Sequence, residues 1–195
     1  MSSLIDKNNT DNKLKLILKD LNSADPSKIK SALKSLQVHG NETVIKPIID
    51  VLNSNDDDEV RVSIVTFLAD LKDSSVKPEI ISILNDDSFS FVRQDVLSSV
   101  WNSKIDYSEY IADFVGLGCQ GNFLEAFECL TIIENLEGPF EERHLLECQL
   151  HFKDYYSNNE AKEPQKAQII SDLATLIKGF ELITDEDDFN LDLED

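Results

Sequence analysis

The sequence predicts an all-α protein built from antiparallel helix pairs stacked one on the next, and three observations carry that reading. The first is a repeat. Leu21, Leu52, Leu84 and Val115 recur 31 or 32 residues apart, and so do Ile29, Val60, Val92 and Phe123. A fixed period of this size is the mark of a repeat architecture. The second is the turn joining the two series. LNSADPSKI, LNSNDDDEV, LNDDSFSFV and the degenerate VGLGCQGNF each set a run of polar or small residues between two apolar ones. The third is helical spacing of apolar residues between the turns. One helix pair cannot bury its apolar faces alone, so neighbours must stack into a continuous core.

Each element follows in order. Residues 1–10 are polar and predict a flexible N-terminus. A first helix runs from about Asp11 to Asn22, with Leu14, Ile17, Leu18 and Leu21 on one face. Asp25 before Pro26 is a cap followed by a first-turn proline, which starts a second helix over about Pro26–Val38. The third, about Glu42–Asn53, turns Val44, Ile45, Ile48, Ile49 and Leu52 inward. Pro47 lies inside it and predicts a bend or a freed carbonyl, as does Pro78 in the fifth. The fourth, about Asp57–Leu71, places Val60, Ile64, Phe67, Leu68 and Leu71 inward. Its acid run Asp56–Glu59 complements a helix N-terminus and lacks the ligand alternation and glycine of a calcium loop.

The sixth helix spans about Phe89–Ser103, with Val92, Val96, Val100 and Trp101 inward. The seventh spans Tyr107–Gly116 and the eighth Asn122–Leu136, with Phe123, Ala126, Phe127, Leu130 and Ile133 inward. After Gly138-Pro139 the helices lengthen: about Phe140–Tyr156, then Pro164–Ile183. A single solenoid domain over 11–183 results, regular to about 136 and irregular over 140–183. Residues 184–195 hold seven acids and no base in their last eleven positions and predict a disordered acidic tail. Phe189 and Leu191 alternate there with acids, the composition of a short binding motif and of a plain solubilising tail alike.

Composition narrows the function. The chain has 38 Asp and Glu against 18 Lys and Arg, a net charge of −20. Such a field repels phosphate backbones and anionic lipid and attracts basic protein surfaces. It also serves solubility alone. The start has no apolar segment of secretory length and no run approaches a membrane span, so the expected compartment is the cytoplasm. Cys119, Cys129 and Cys148 are odd in number without CxxC spacing, and read as buried free thiols.

No phosphate-binding glycine loop, HExxH or GxSxG occurs. His144, Cys148 and His151 share one face of the ninth helix, but Leu145, Phe152 and Tyr155 flank the same stripe and no fourth ligand lies near. No metal, cofactor or catalytic residue is therefore assigned. Arg61 and Arg93 sit one residue into equivalent helices and read as structural ion pairs or turn contacts. Trp101 reads as core, with a partner anchor as its alternative.

The stretch Asp56-Asp57-Asp58-Glu59-Val60-Arg61, the close Ala69-Asp70-Leu71 and the opening Val76-Lys77-Pro78, with Val92-Arg93 repeating the Val-Arg step, resemble the short bacterial HEAT-like repeats over roughly residues 11–136. The resemblance implies a right-handed superhelix in which the second helix of each pair lines a concave side. Outward positions there include Lys46, Asp50, Glu79, Ser82, Glu109, Asp113 and Glu142. The family's usual role implies a non-catalytic adaptor or scaffold that binds a basic protein surface through these residues, with Phe189 and Leu191 of the tail. Two alternatives stand beside it: an inhibitor or immunity-type protein masking a basic active site, and an enzyme of the lyase-like minority that handles pigment.

Overall fold

The structure, a computed structural model, describes the backbone of residues 2–158, 163 and α10, and the side chains of 12–38, 40–158 and 163–181. Among these it is all-α, with no strand. Two compact units divide the chain after Lys104.

The first unit holds α1 (Ser2–Leu21), α2 (Pro26–His39), α3 (Ile45–Ser54), α4 (Asp58–Ala69), α5 (Lys77–Leu84) and α6 (Arg93–Ser103). Contacts run α1 to α3 to α5 in one layer and α2 to α4 to α6 in the other, with α1–α2, α3–α4 and α5–α6 joined across. This is the stack of helix pairs that the period predicts. The inward positions behave accordingly: Ile29, Ile45, Ile48, Ile49, Val60, Ile64, Ile80 and Val92 are all buried. Burying each such side chain contributes about 1.5–3 kcal/mol, so the repeated positions are where this unit gains its stability. The turns are capped as read. Asp25 accepts from Ser27 N at 2.9 Å. Asp57 accepts from Glu59 N and Val60 N at 2.9 and 3.0 Å, so the acid run is a helix start.

The α2–α4–α6 layer is also tied by charge. Lys30 of α2 pairs with Glu59 of α4, and Arg61 of α4 pairs with Asp95 of α6. Arg93 donates to the Leu84 carbonyl at 2.9 Å and to Asp87 at 3.1 Å. Both arginines are thus structural, one bridging to the next repeat and one closing its own turn.

The prolines differ from expectation. A 3-10 turn, Glu42–Val44, precedes α3, and another, Ser74–Val76, precedes α5. Pro47 and Pro78 therefore fall in the first α-helical turn, where the missing N–H has no partner to lose and no bend is required.

The second unit holds α7 (Ile111–Gln120), α8 (Phe123–Glu134), α9 (Glu142–Ser157) and α10 (Pro164–Leu191). α7 packs on α9, α8 on α10, and the two layers meet through α7–α8 and α9–α10. Here the sequence reading needs three corrections. α7 runs on through Gly118 to Gln120 instead of ending at about Gly116. Gly116 lies where a neighbour comes close, since a Cβ there would sit 3.0 Å from the His151 ring, whereas one on Gly118 would meet Cys129 and Leu173 at an ordinary 3.4 Å. The turn is only Gly121-Asn122, where Asn122 and Glu125 form a reciprocal cap. Trp101, expected in the core of the first unit, is exposed, and so is Phe127 on α8. Within the second unit Tyr107 is fully buried, edge-on to Phe114 at 6.0 Å.

Helical backbone also passes both expected domain limits. α1 begins at Ser2, not near Asp11, and α10 reaches Leu191, past residue 183. Neither 2–10 nor 184–191 contains glycine or proline to stop a helix.

Candidate partner-binding surface

The outward positions expected to meet a partner fall on one layer of each unit. In the first unit Lys46 and Asp50 lie one turn apart on α3, half exposed, with Lys46 Nζ 3.1 Å from Asp50 Oδ1. The same amine sits 4.5 Å from the centroid of the Phe89 ring. Glu79 is half-buried in the first turn of α5 and Ser82 is exposed one turn on. These four share the α1–α3–α5 layer. In the second unit Glu109 is exposed in the 3-10 turn Ser108–Tyr110, Asp113 is half-buried in the first turn of α7, and Glu142 is exposed at the start of α9. These three share the α7–α9 layer. Phe189 and Leu191 lie outside the residues whose side chains are described.

Charge is divided very unevenly. Residues 1–104 hold 16 acidic and 13 basic side chains, net −3, whereas residues 105–195 hold 22 and 5, net −17. On α3 the Lys46–Asp50 pair cancels its own charge. The strong negative field therefore belongs to the second unit, which the sequence reading had spread along the whole chain.

The other candidates resolve into packing. Cys148 is buried among α9 neighbours, and burial pushes its thiol up to about 12. Cys119 is pushed up to about 11 by the same desolvation, which the Lys166 ammonium partly offsets. All three cysteines are buried and none forms a disulfide. His151 lies half-buried against Gly116, as a ring filling the α7–α9 contact. Among the described residues no group of three or more His, Cys, Asp or Glu gathers as metal ligands would. Lys166, at the start of α10, donates to the carbonyls of Cys119, at 2.8 Å, and Gly121, and so holds the C-terminal end of α7. A cation at that end also meets the negative pole of the helix.

A cleft of about 340 Å³ opens in the first unit between the ends of α2 and α4. Leu36, Val44, Phe67 and Leu71 form its apolar lining and Glu42 and Asp70 its rim. Lys72 beside it donates to the Ser103 carbonyl at 3.1 Å and closes α6.

The surface feature that sequence reasoning missed is on α9. Leu145, Cys148 and Phe152 form its buried stripe, yet Leu146 and Leu150 are 51% and 59% exposed on the opposite side. The signal was present in the doubled Leu145-Leu146, which one apolar stripe cannot absorb.

A family model described as HEAT repeats matches residues 14–101. No curated protein and no solved structure matches the chain. Among the described residues no helix is long and apolar enough to cross a membrane. The matched segment coincides with the helix-pair stack of the first unit, and residues 14–101 are similar to HEAT repeats.

Proposed function

We propose that the chain is a non-catalytic protein-binding module whose acidic surface meets a basic partner in the cytoplasm. HEAT repeats generally serve as interaction scaffolds, and the stacked pairs leave outward residues such as Asp50, Ser82 and Glu142 to solvent. The observation that carries the charge half of the reading is the net −17 of residues 105–195. A field of one sign concentrated in one unit steers a basic surface toward it and speeds encounter. The outward residues of the α1–α3–α5 and α7–α9 layers, Lys46, Asp50, Glu79, Ser82, Glu109, Asp113 and Glu142, are the contact set of this reading, with Phe189 and Leu191 beyond them. The adaptor and the inhibitor share that surface and differ only in what the partner loses on binding.

The test begins with affinity capture and mass spectrometry, then moves to the purified partner. Association rates are measured at low salt and at about 150 mM, where the screening length falls to about 8 Å. Asp50→Lys and Glu109→Lys change exposed sites, while the half-buried Glu79 and Asp113 take Glu79→Gln and Asp113→Asn to spare the fold. Lys34→Glu and Asp70→Lys, on the α2–α4 layer, form the control. Asp95 is unsuitable there because it holds Arg61. The reading expects the first set to slow association and to flatten its salt dependence. A rate indifferent to salt removes the charge argument, and slowing by the control set alone removes the assignment of the face. A partner enzyme silenced by binding identifies the inhibitor.

A further inference from the structure

We infer that the outward ridge of α9 is a docking site for a basic amphipathic helix, a reading that rests on the proposed function and names the partner's chemistry. α9 is apolar on two opposite sides. Leu145, Cys148 and Phe152 are buried within the unit, and the exposed Leu146 and Leu150 stand one turn apart on the other side. Two leucines one turn apart among charged outward positions make a small apolar patch that a partner can cover. Two residues four apart rise about 6 Å along the axis, the spacing that an i, i+3, i+4 stripe on a second helix meets.

Charge chooses the occupant. Glu142, Glu147 and Asp154 are exposed around the leucines. Of the two bases on α9, Arg143 is held by Glu141 at 2.8 Å, leaving Lys153 as the other. The unit around them has 22 acids to 5 bases. A second copy of the chain would bring another −20 to this surface. The chain's own residues 185–195 would bring seven acids and no base. Both are repelled, whereas a helix carrying leucines on one side and lysines or arginines beside them satisfies the ridge and its rim together. Glu142, already in the proposed contact set, is part of that rim.

The probe is a synthetic peptide of about 14 residues, some four turns of helix, made of leucine and lysine with the leucines on one helical face. One control carries the same residues in alternating order, and another replaces every lysine with glutamate. Binding to the full chain is followed by fluorescence anisotropy and by amide shifts in a 15N-labelled sample. The basic amphipathic peptide is expected to bind saturably and to shift amides of α9. Leu146→Ser with Leu150→Ser is expected to weaken it about tenfold or more, the scale of losing anchor side chains at an interface. Glu142→Gln with Glu147→Gln and Asp154→Asn is expected to weaken it at low salt and flatten the salt dependence. Both variants alter exposed sites, and unchanged circular dichroism confirms their fold.

Binding untouched by the leucine variant overturns the inference. If the acid variants of the α1–α3–α5 and α7–α9 layers still weaken that binding, the charge reading survives without the ridge. Equal binding of the glutamate peptide overturns both. A dimer in sedimentation that the leucine variant dissociates identifies a second copy as the occupant and overturns this one. Shifts of α9 amides on deleting 184–195 do the same in favour of the tail.

Discussion

Ile64 and Val62 sit two residues apart on α4 and should respond in opposite ways to the same truncation. Ile64 is 0% exposed and Val62 is 64% exposed. Ile64→Ala removes three carbon groups, worth roughly 0.8 kcal/mol each by transfer, or about 2.4 kcal/mol together. The hole left between helices adds a cavity cost, and the better helix propensity of alanine returns a few tenths, which places the net loss at about 2–5 kcal/mol. Val62→Ala deletes groups that water already touches, so its effect stays within about 0.5 kcal/mol. Urea unfolding followed by far-UV circular dichroism measures both, with an unchanged slope showing that the folded reference is intact. Ile80→Ala, at a position 1% exposed in α5, is the independent repeat of the experiment. If Ile64→Ala costs under half a kcal/mol, or if Val62→Ala costs more, the inward face of the repeat has been drawn on the wrong side.

Gly118→Ala should stabilise by about 0.5–1 kcal/mol, because helix propensity improves while the new Cβ meets Cys129 and Leu173 at an ordinary 3.4 Å. Gly116→Ala should be less stable in the native background than beside His151→Ala, since the ring stands 3.0 Å from the new methyl; thermal melts of the four variants measure that coupling. Lys166→Met should cost about 1–3 kcal/mol by leaving the Cys119 and Gly121 carbonyls at the end of α7 without their charged donor, again read from denaturant curves. The Cys119 and Cys148 thiols, raised by burial from 9.0 to about 11 and about 12, are acids whose unfolded form ionises first. The unfolded chain therefore holds fewer protons above pH 9, stability falls as pH rises toward 11–12, and Cys119→Ala with Cys148→Ala should flatten that alkaline decline. A native chain whose thiols react with a disulfide reagent as fast as the urea-unfolded chain would contradict their burial.

The first unit was legible because its code is redundant. Each inward position recurs after 31 or 32 residues, so Ile48, Ile49 and Leu52 predict Ile80, Ile81 and Leu84, and all six are buried. The turns were legible for the same reason, since Asp25 and Asp57 cap as their spacing demands. Redundancy fails in the second unit. The fourth turn was drawn over 115–123 because the period placed a copy of the turn there, yet the helix runs on and Gly116 answers to His151, which lies tens of residues away in sequence. A glycine needed for close approach and one needed for a turn look alike until the neighbours are placed. Pro47 and Pro78 were misread for a related reason: a short 3-10 turn ahead of each helix moves them into its first turn, and nothing in the period distinguishes the two kinds of turn.

Outward positions posed a different difficulty. Packing constrains an inward residue tightly, so its type can be read back from the fold, but solvent accepts almost any side chain, and an exposed glutamate in so acidic a chain is uninformative. Asp50 illustrates this, since Lys46 beside it cancels its charge on the same helix. Informative exposed residues are those that water should not favour. Leu146 and Leu150 are of that kind: the fold of the second unit is complete without them, the helix would be as stable with glutamine or lysine in their place, and apolar contact with solvent gains nothing. Their place within a rim of carboxylates is what the proposed basic helix accounts for, and the leucine variants test it apart from the charge.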